Sequence, residues 1–280
     1  MRSRKVLTDV LFGLVTKVAI RFRGVLLIPL ITVNLGVSAF GAYAQILAIA
    51  TLANTVIDFG LHQGLIRYGR RTDDTADLYF SSLLVVLATS GAAAVAMFAA
   101  AAPLSAFTLS SGQYADAYRV GALLLVVMAA FRLSKSYFRI DSRIKLFSII
   151  EAADGYGTIG AAAIGVLLFD ATLSQILLSI AAVRLATVLL LHGQIVREVG
   201  LRVPTFDGMR TYLDYSLPVA LSLFVNNVSS RADRVMIGFF LGASAVGVYS
   251  IAYEIAVGII MYVSAIRQTL FPELSKLVYV

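Results

Sequence analysis

Leu35-Gly36-Val37-Ser38-Ala39-Phe40-Gly41-Ala42-Tyr43 returns 206 residues later as Leu241-Gly242-Ala243-Ser244-Ala245-Val246-Gly247-Val248-Tyr249. Leu, Gly, Ser, Ala, Gly and Tyr recur in place, and each copy joins two long apolar runs. That period is too long for a solenoid repeat. It fits an internal duplication of the kind found in membrane proteins built from repeated helical units. The spacing predicts a first unit of six helices over residues 1–205 and, over 206–280, the first two helices of a second unit. Six is an even number, so both units enter the membrane with the same polarity and the repeat is parallel. Within each copy, Gly36 and Gly242 suit a left-handed helix end, and Ser38 and Ser244 suit caps for the next helix. Gly41 and Gly247 permit close helix approach, while Tyr43 and Tyr249 suit a membrane interface.

Composition agrees with a membrane setting. The chain is 59% hydrophobic and only 14% charged, against roughly a quarter charged in a soluble domain. Its net charge of +7 points to no nucleic acid, because the basic residues punctuate apolar runs instead of forming a patch. With no Cys and only His62 and His192, disulfides, thiolate metal sites and histidine clusters are excluded as organising chemistry. The basic start, Met1-Arg-Ser-Arg-Lys, leads into an apolar run with Lys17, Arg21 and Arg23 inside it. It reads as a retained first span rather than a cleaved signal.

The predicted fold is all-α and polytopic, with about eight transmembrane helices at 10–33, 40–60, 78–103, 115–137, 146–169, 172–195, 212–240 and 246–270. Alternate connections are basic: Arg2, Arg4 and Lys5; Arg67, Arg70 and Arg71; Arg132 to Lys145; Arg197, Arg202 and Arg210; Arg267 and Lys276. The opposite connections, 34–39, 104–114, 170–171 and 241–245, carry no Lys or Arg. By the positive-inside rule both termini are expected in the cytoplasm of a multi-pass cell-membrane protein.

An ionisable side chain at the bilayer centre costs about 3 kcal/mol on insertion scales, so it faces protein or water. Lys17 and Arg21 share a face of the first span, with Arg23 turned away; three cations without an intervening acid ask for an outside anion or for carboxylates on other helices. Arg184 lies deep in the sixth span. The seventh is unusually polar, with Asn226, Asn227, Ser229, Ser230, Arg231, Asp233 and Arg234 within nine positions. On a continuous helix Asn227, Arg231 and Arg234 share one face, which predicts a water-filled cavity; an Asp233–arginine ion pair is the competing account. Arg21, Lys17, Arg23, Arg184, Asn227 and Arg231 are therefore candidates for binding an anionic headgroup.

Carboxylates form the second set. Glu151 and Asp154 stand one turn apart in the fifth span, and Asp58, Asp233 and Glu254 occupy the second, seventh and eighth. They are candidates for coupling to Na⁺ or H⁺, and equally for neutralising Arg184, Arg132 or Lys135. No metal or other cofactor is expected, and no phosphate-binding Gly loop or nucleophile–base arrangement occurs.

The chain resembles the polysaccharide-transporter branch of the multidrug/oligosaccharidyl-lipid/polysaccharide exporter superfamily. The resemblance is carried by Leu26-Leu27-Ile28-Pro29-Leu30, the two copies above, Asp58-Phe59-Gly60-Leu61, Leu65-Ile66-Arg67-Tyr68, Tyr215-Ser216-Leu217-Pro218, Ala232-Asp233-Arg234-Val235-Met236-Ile237-Gly238 and Phe271-Pro272-Glu273-Leu274-Ser275. It implies two six-helix lobes around a cationic cavity, and alternating access that flips polyprenyl- or dolichyl-(pyro)phosphate-linked oligosaccharides for surface polysaccharide or glycan synthesis. The implied partners are the lipid-linked oligosaccharide and membrane lipids; eight expected spans against two six-helix lobes leave three readings, a truncated product, a gene fragment, or half of an assembly completed by a second chain. On that resemblance Arg21→Ala is expected to lower flipping while leaving membrane insertion intact. A multidrug or organic-cation antiporter of the same superfamily and a non-transporting fragment stand as alternatives. A membrane glycosyltransferase is a third; its only acidic cluster, Asp73, Asp74 and Asp77, reads as charges balancing Arg70 and Arg71. The flippase reading fails if Arg21, Arg184 and Arg231 are each locked to an internal carboxylate with no hydrated vestibule between the lobes.

Overall fold

The computed structural model describes residues 24, 26–69, 75–140 and 144–278. Described residues are overwhelmingly helical, and no strand occurs among them. A short apolar helix α1, Leu26–Leu35, leads into α2, Val37–Ile57, and α3, Leu61–Tyr68. Then follow α4, Thr75–Ala99; α5, Ala101–Leu109; a single 3₁₀ turn at Gly112–Tyr114; α6, Ala115–Ile140; and α7, Ile144–Phe169. The order closes with α8, Leu173–Val199, α9, Met209–Ser229, and α10, Ala232–Val278. Six helical segments among the described residues are long and apolar enough to cross a membrane: Val37–Ile57, Thr75–Ala99, Gly112–Ile140, Leu146–Phe169, Leu173–Val199 and Ala232–Val257. This is the layout of a multi-pass membrane protein. The expected first span, 10–33, lies mostly outside the described residues.

The connections alternate between two ends of the bundle. Ser110, Asp170 and the glycine breaks lie at one, called here the hairpin end; the chain between Val199 and Met209 lies at the other, the basic end. α6 runs through the middle and packs on α8, α4 and α2. Its Tyr118, Leu124, Leu125, Leu133 and Phe138 are almost wholly enclosed. α2 lies along α10, and this is the most extensive helix pairing in the bundle.

Both copies of the repeated segment break the helix in the same way. Gly36 has φ 88° and ψ 164°, and Gly242 has φ 79° and ψ −179°, a backbone region that only glycine enters without strain. Gly36 is itself the N-cap of α2, with no side-chain cap. Ser38 therefore sits inside the first turn and does not cap the helix as its position suggested. At Gly41 an added methyl group would overlap the Ala243 carbonyl oxygen, and at Gly247 it would overlap the Val37 carbonyl oxygen. Position 243 corresponds to 37 and 247 to 41, so the contact is reciprocal.

Two spans depart from the sequence expectation. The third ends at Ala99 and continues as the separate helix α5. Pro103 has no N–H to return to the Ala99 carbonyl, so the ladder fails at that turn. The seventh is not one helix. α9 ends at Ser229, Ser230 and Arg231 form a turn, and α10 restarts at Ala232. The Ser230 hydroxyl donates to the Asn226 carbonyl at 2.5 Å, and Asp233 accepts the Arg234 N–H at 2.8 Å. Ser, Asn and Asp side chains compete in this way with the helical ladder. The polar run read as one cavity-facing stripe is thus a helix break.

Candidate functional site

A cavity of about 470 Å³ lies among α1, α2, α6, α7, α8 and α10. Its apolar wall includes Leu27, Phe40, Leu47, Met128 and Ile180; its polar lining includes Tyr43, Thr51, Glu151, Thr158, Arg184, Arg231, Arg234, Ser250 and Glu254. Arg184 stands eleven residues into α8, about 16 Å along its axis at 1.5 Å per residue. Arg231 lies ten residues before Leu241 at the hairpin end, about 15 Å away by the same rise. Both depths are near the middle of a hydrocarbon layer about 30 Å thick. The helix break at Ser230-Arg231 therefore falls near mid-depth, where irregular backbone persists only beside protein or a cavity.

Most cations around this cavity have a carboxylate. The Arg184 guanidinium donates from Nε and Nη2 to the two oxygens of Asp154 at 2.9 and 2.8 Å, over the Phe131 ring. Lys135 donates to Glu151 at 2.5 Å between the rings of Phe131 and Phe147. Arg132 donates to Asp58 at 3.1 Å. Arg234 and Glu254 lie 3.7 Å apart, with the guanidinium over Tyr253. Arg231 differs: its Nε is buried with no hydrogen-bond partner among the described residues, and Glu254 attracts it while Arg234 and Arg132 repel it.

The sequence-derived candidates separate accordingly. Lys17, Arg21 and Arg23 lie outside the described residues. Arg231, Arg184, Glu151 and Glu254 line the cavity. Asp154 stands behind Arg184, so Glu151 and Asp154 face different cations and do not form one carboxylate pair. Asn227 does not line the cavity; its Nδ2 donates to Thr55 Oγ1 at 3.1 Å and ties α9 to α2. Asp233 accepts the Tyr249 hydroxyl as well as the Arg234 N–H. Asp58, 2% exposed, sits at the end of α2. One of its oxygens accepts the Gly60 N–H at 2.9 Å, and the other is shared by His62 and Arg132. Of the acidic cluster, Asp77 accepts two hydrogen bonds from Thr205 and so fastens the α8–α9 connection to α4.

Ser250 is a cavity residue that sequence reasoning did not select; Arg234 belongs to the stripe expected to face the cavity but not to the headgroup candidates. A signal for Ser250 existed. It follows the second repeated segment directly, its counterpart Ala44 follows the first, and both line the cavity. No group of three or more metal-ligating side chains occurs among the described residues.

The fold and this mid-depth cavity define an all-α, multi-pass membrane protein. With 13% identity and a TM-score of 0.69, the structure is similar to the MATE multidrug transporter DinF-BH, over 90% of this chain and 60% of that one. The chain belongs to the polysaccharide biosynthesis protein family, whose profile matches residues 34–278. It is 24% identical over 237 residues to the teichuronic acid biosynthesis protein TuaB of Bacillus subtilis, covering 80% of this chain and 46% of that protein. It is 23% identical over 268 residues to the probable flippase AglR of Haloferax volcanii, covering 91% and 52%. The chain thus spans about half the length of the curated relatives it matches.

Proposed function

We propose that the protein moves lipid-linked oligosaccharides, carried on a polyprenyl or dolichyl (pyro)phosphate, across the cytoplasmic membrane by alternating access, in polysaccharide or glycan synthesis. One observation carries the reading: Arg231 lies at mid-depth against a cavity of about 470 Å³, its buried Nε without a partner among the described residues. A cation in that position costs stability unless an anion reaches it. Family membership and the flippase-named relative support transport in polysaccharide synthesis, and a phosphate headgroup would supply that anion. Residues 1–205 form one lobe and 206–280 belong to a second; the reciprocal Gly41–Gly247 contact supports a parallel two-fold relation. The alternation of basic connections supports cytoplasmic termini. Glu151 and Glu254, which line the cavity, are the candidates for coupling to Na⁺ or H⁺.

The test is flipping of a fluorescent lipid-linked oligosaccharide in proteoliposomes containing the protein, with Arg231→Gln as the variant. At least a tenfold loss with unchanged insertion is expected. Equal rates defeat the proposal. The organic-cation alternative draws on the MATE-type fold and on the acidic side chains of the cavity. It predicts the opposite pattern, with Glu254→Gln abolishing export of a lipophilic cation and Arg231→Gln sparing it.

A further inference from the structure

The ion pairs around the cavity differ in one respect. Arg184–Asp154 is bidentate at 2.8–2.9 Å, Lys135–Glu151 closes at 2.5 Å and Arg132–Asp58 at 3.1 Å. Arg234–Glu254 stops at 3.7 Å, beyond the reach of a direct hydrogen bond. Around this slack pair three buried donors are unused among the described residues: Arg234 Nε on a residue 6% exposed, Ser250 Oγ on a residue 1% exposed, and Arg231 Nε. All four residues line the same cavity. Buried donors are normally satisfied, and leaving one unmade costs about 1–3 kcal/mol. Three together, beside a cation held loosely by its acid, describe a site that waits for oxygens.

We infer that Arg231, Arg234 and Ser250 form a phosphate-oxygen subsite and that Glu254 is its resident counter-ion, displaced when the ligand enters. The inference rests on the flippase reading and adds how its site is regulated. A phosphate or diphosphate brings several acceptor oxygens and at least one negative charge. Its oxygens take the Ser250 hydroxyl and the two arginine Nε–H groups. Its charge replaces that of Glu254 on Arg234. In the empty site Glu254 keeps Arg234 from standing uncompensated at mid-depth.

The experiment measures binding by the whole chain in phosphatidylcholine nanodiscs, in two arms. One uses inorganic pyrophosphate; the other uses a sugar-free polyprenyl diphosphate incorporated in the disc. Arg234→Gln is expected to weaken pyrophosphate binding at least tenfold and Ser250→Ala about fivefold, both by loss of contacts to a charged group. Glu254→Gln is expected to tighten it three- to tenfold by removing the competitor. Should Glu254→Gln fail to fold, Glu254→Asp serves, since a chain one methylene shorter relinquishes Arg234 and should also tighten binding. Unchanged or weaker binding in the Glu254 variant, no effect of Ser250→Ala, or no binding of either probe overturns the inference. Pyrophosphate binding with the expected variant pattern, but none of the polyprenyl diphosphate, upholds the subsite and defeats the flippase reading.

Discussion

Gly41 of α2 and Gly247 of α10 hold the two copies of the repeat against each other by a reciprocal backbone contact, Gly41 on the Ala243 carbonyl and Gly247 on the Val37 carbonyl. The absence of two side chains is what lets the helices approach so closely. Gly41→Ala and Gly247→Ala should each lower stability by about 1–3 kcal/mol through overpacking, read as a fall in Tm in detergent. Gly91→Ala is the control, because a methyl group there meets nothing within 4 Å; an equal fall in that variant would show the contact to be incidental.

Arg184 and Asp154 are each less than a tenth exposed and joined by two hydrogen bonds. Removing one partner of such a pair leaves a buried charge and costs about 3–5 kcal/mol, whereas removing both is far milder. Asp154→Leu alone should therefore unfold at a markedly lower temperature than Asp154→Leu/Arg184→Leu. If single and double variants melt together, the pair has no energetic coupling.

At the α2–α3 turn, Asp58 binds the Gly60 N–H, His62 and Arg132 at once. Asn at this position keeps an acceptor for the Gly60 N–H but loses the charge, leaving Arg132 near Arg231 without that anion. Asp58→Asn should lower Tm, and Arg132→Gln in that background should recover most of the loss. Additive losses would argue against a shared ion pair.

Arg231 sets function against stability. With its buried Nε unpaired among the described residues, its neutral replacement should stabilise the empty protein by about 1 kcal/mol while lowering flipping. A variant that is both less stable and inactive would indicate a structural arginine.

Asp77 joins α4 to the α8–α9 connection through Thr205. Asp77→Ala should increase proteolytic cleavage within 200–208 several-fold, because that connection loses its two hydrogen bonds to a buried acid. Unchanged cleavage would mean that other contacts hold the connection.

The glycine breaks and the close approach of Gly41 and Gly247 were legible because they depend on local backbone requirements that glycine alone meets. The fifth span, 146–169, coincides with an apolar segment of α7, since hydrophobic length is a local property. The seventh span failed as one helix because competition between Ser and Asn side chains and the backbone is decided residue by residue. Arg184 was visible as an expensive charge, but its bidentate partner was one of several acids available to it. Asn227 looked like a cavity residue only while the helix was taken as continuous.

The sequence by itself determined an all-α membrane chain with a duplicated glycine hinge, because apolar length, charge alternation and repetition are written in consecutive residues. The tertiary structure decided which arginine is locked to an acid and which faces the cavity with a donor unused. Ion pairing depends on distances between side chains tens of residues apart, and only helix packing sets those distances. Arg184 and Arg231 were the same kind of residue in the sequence; packing gave Asp154 to one and an open cavity to the other.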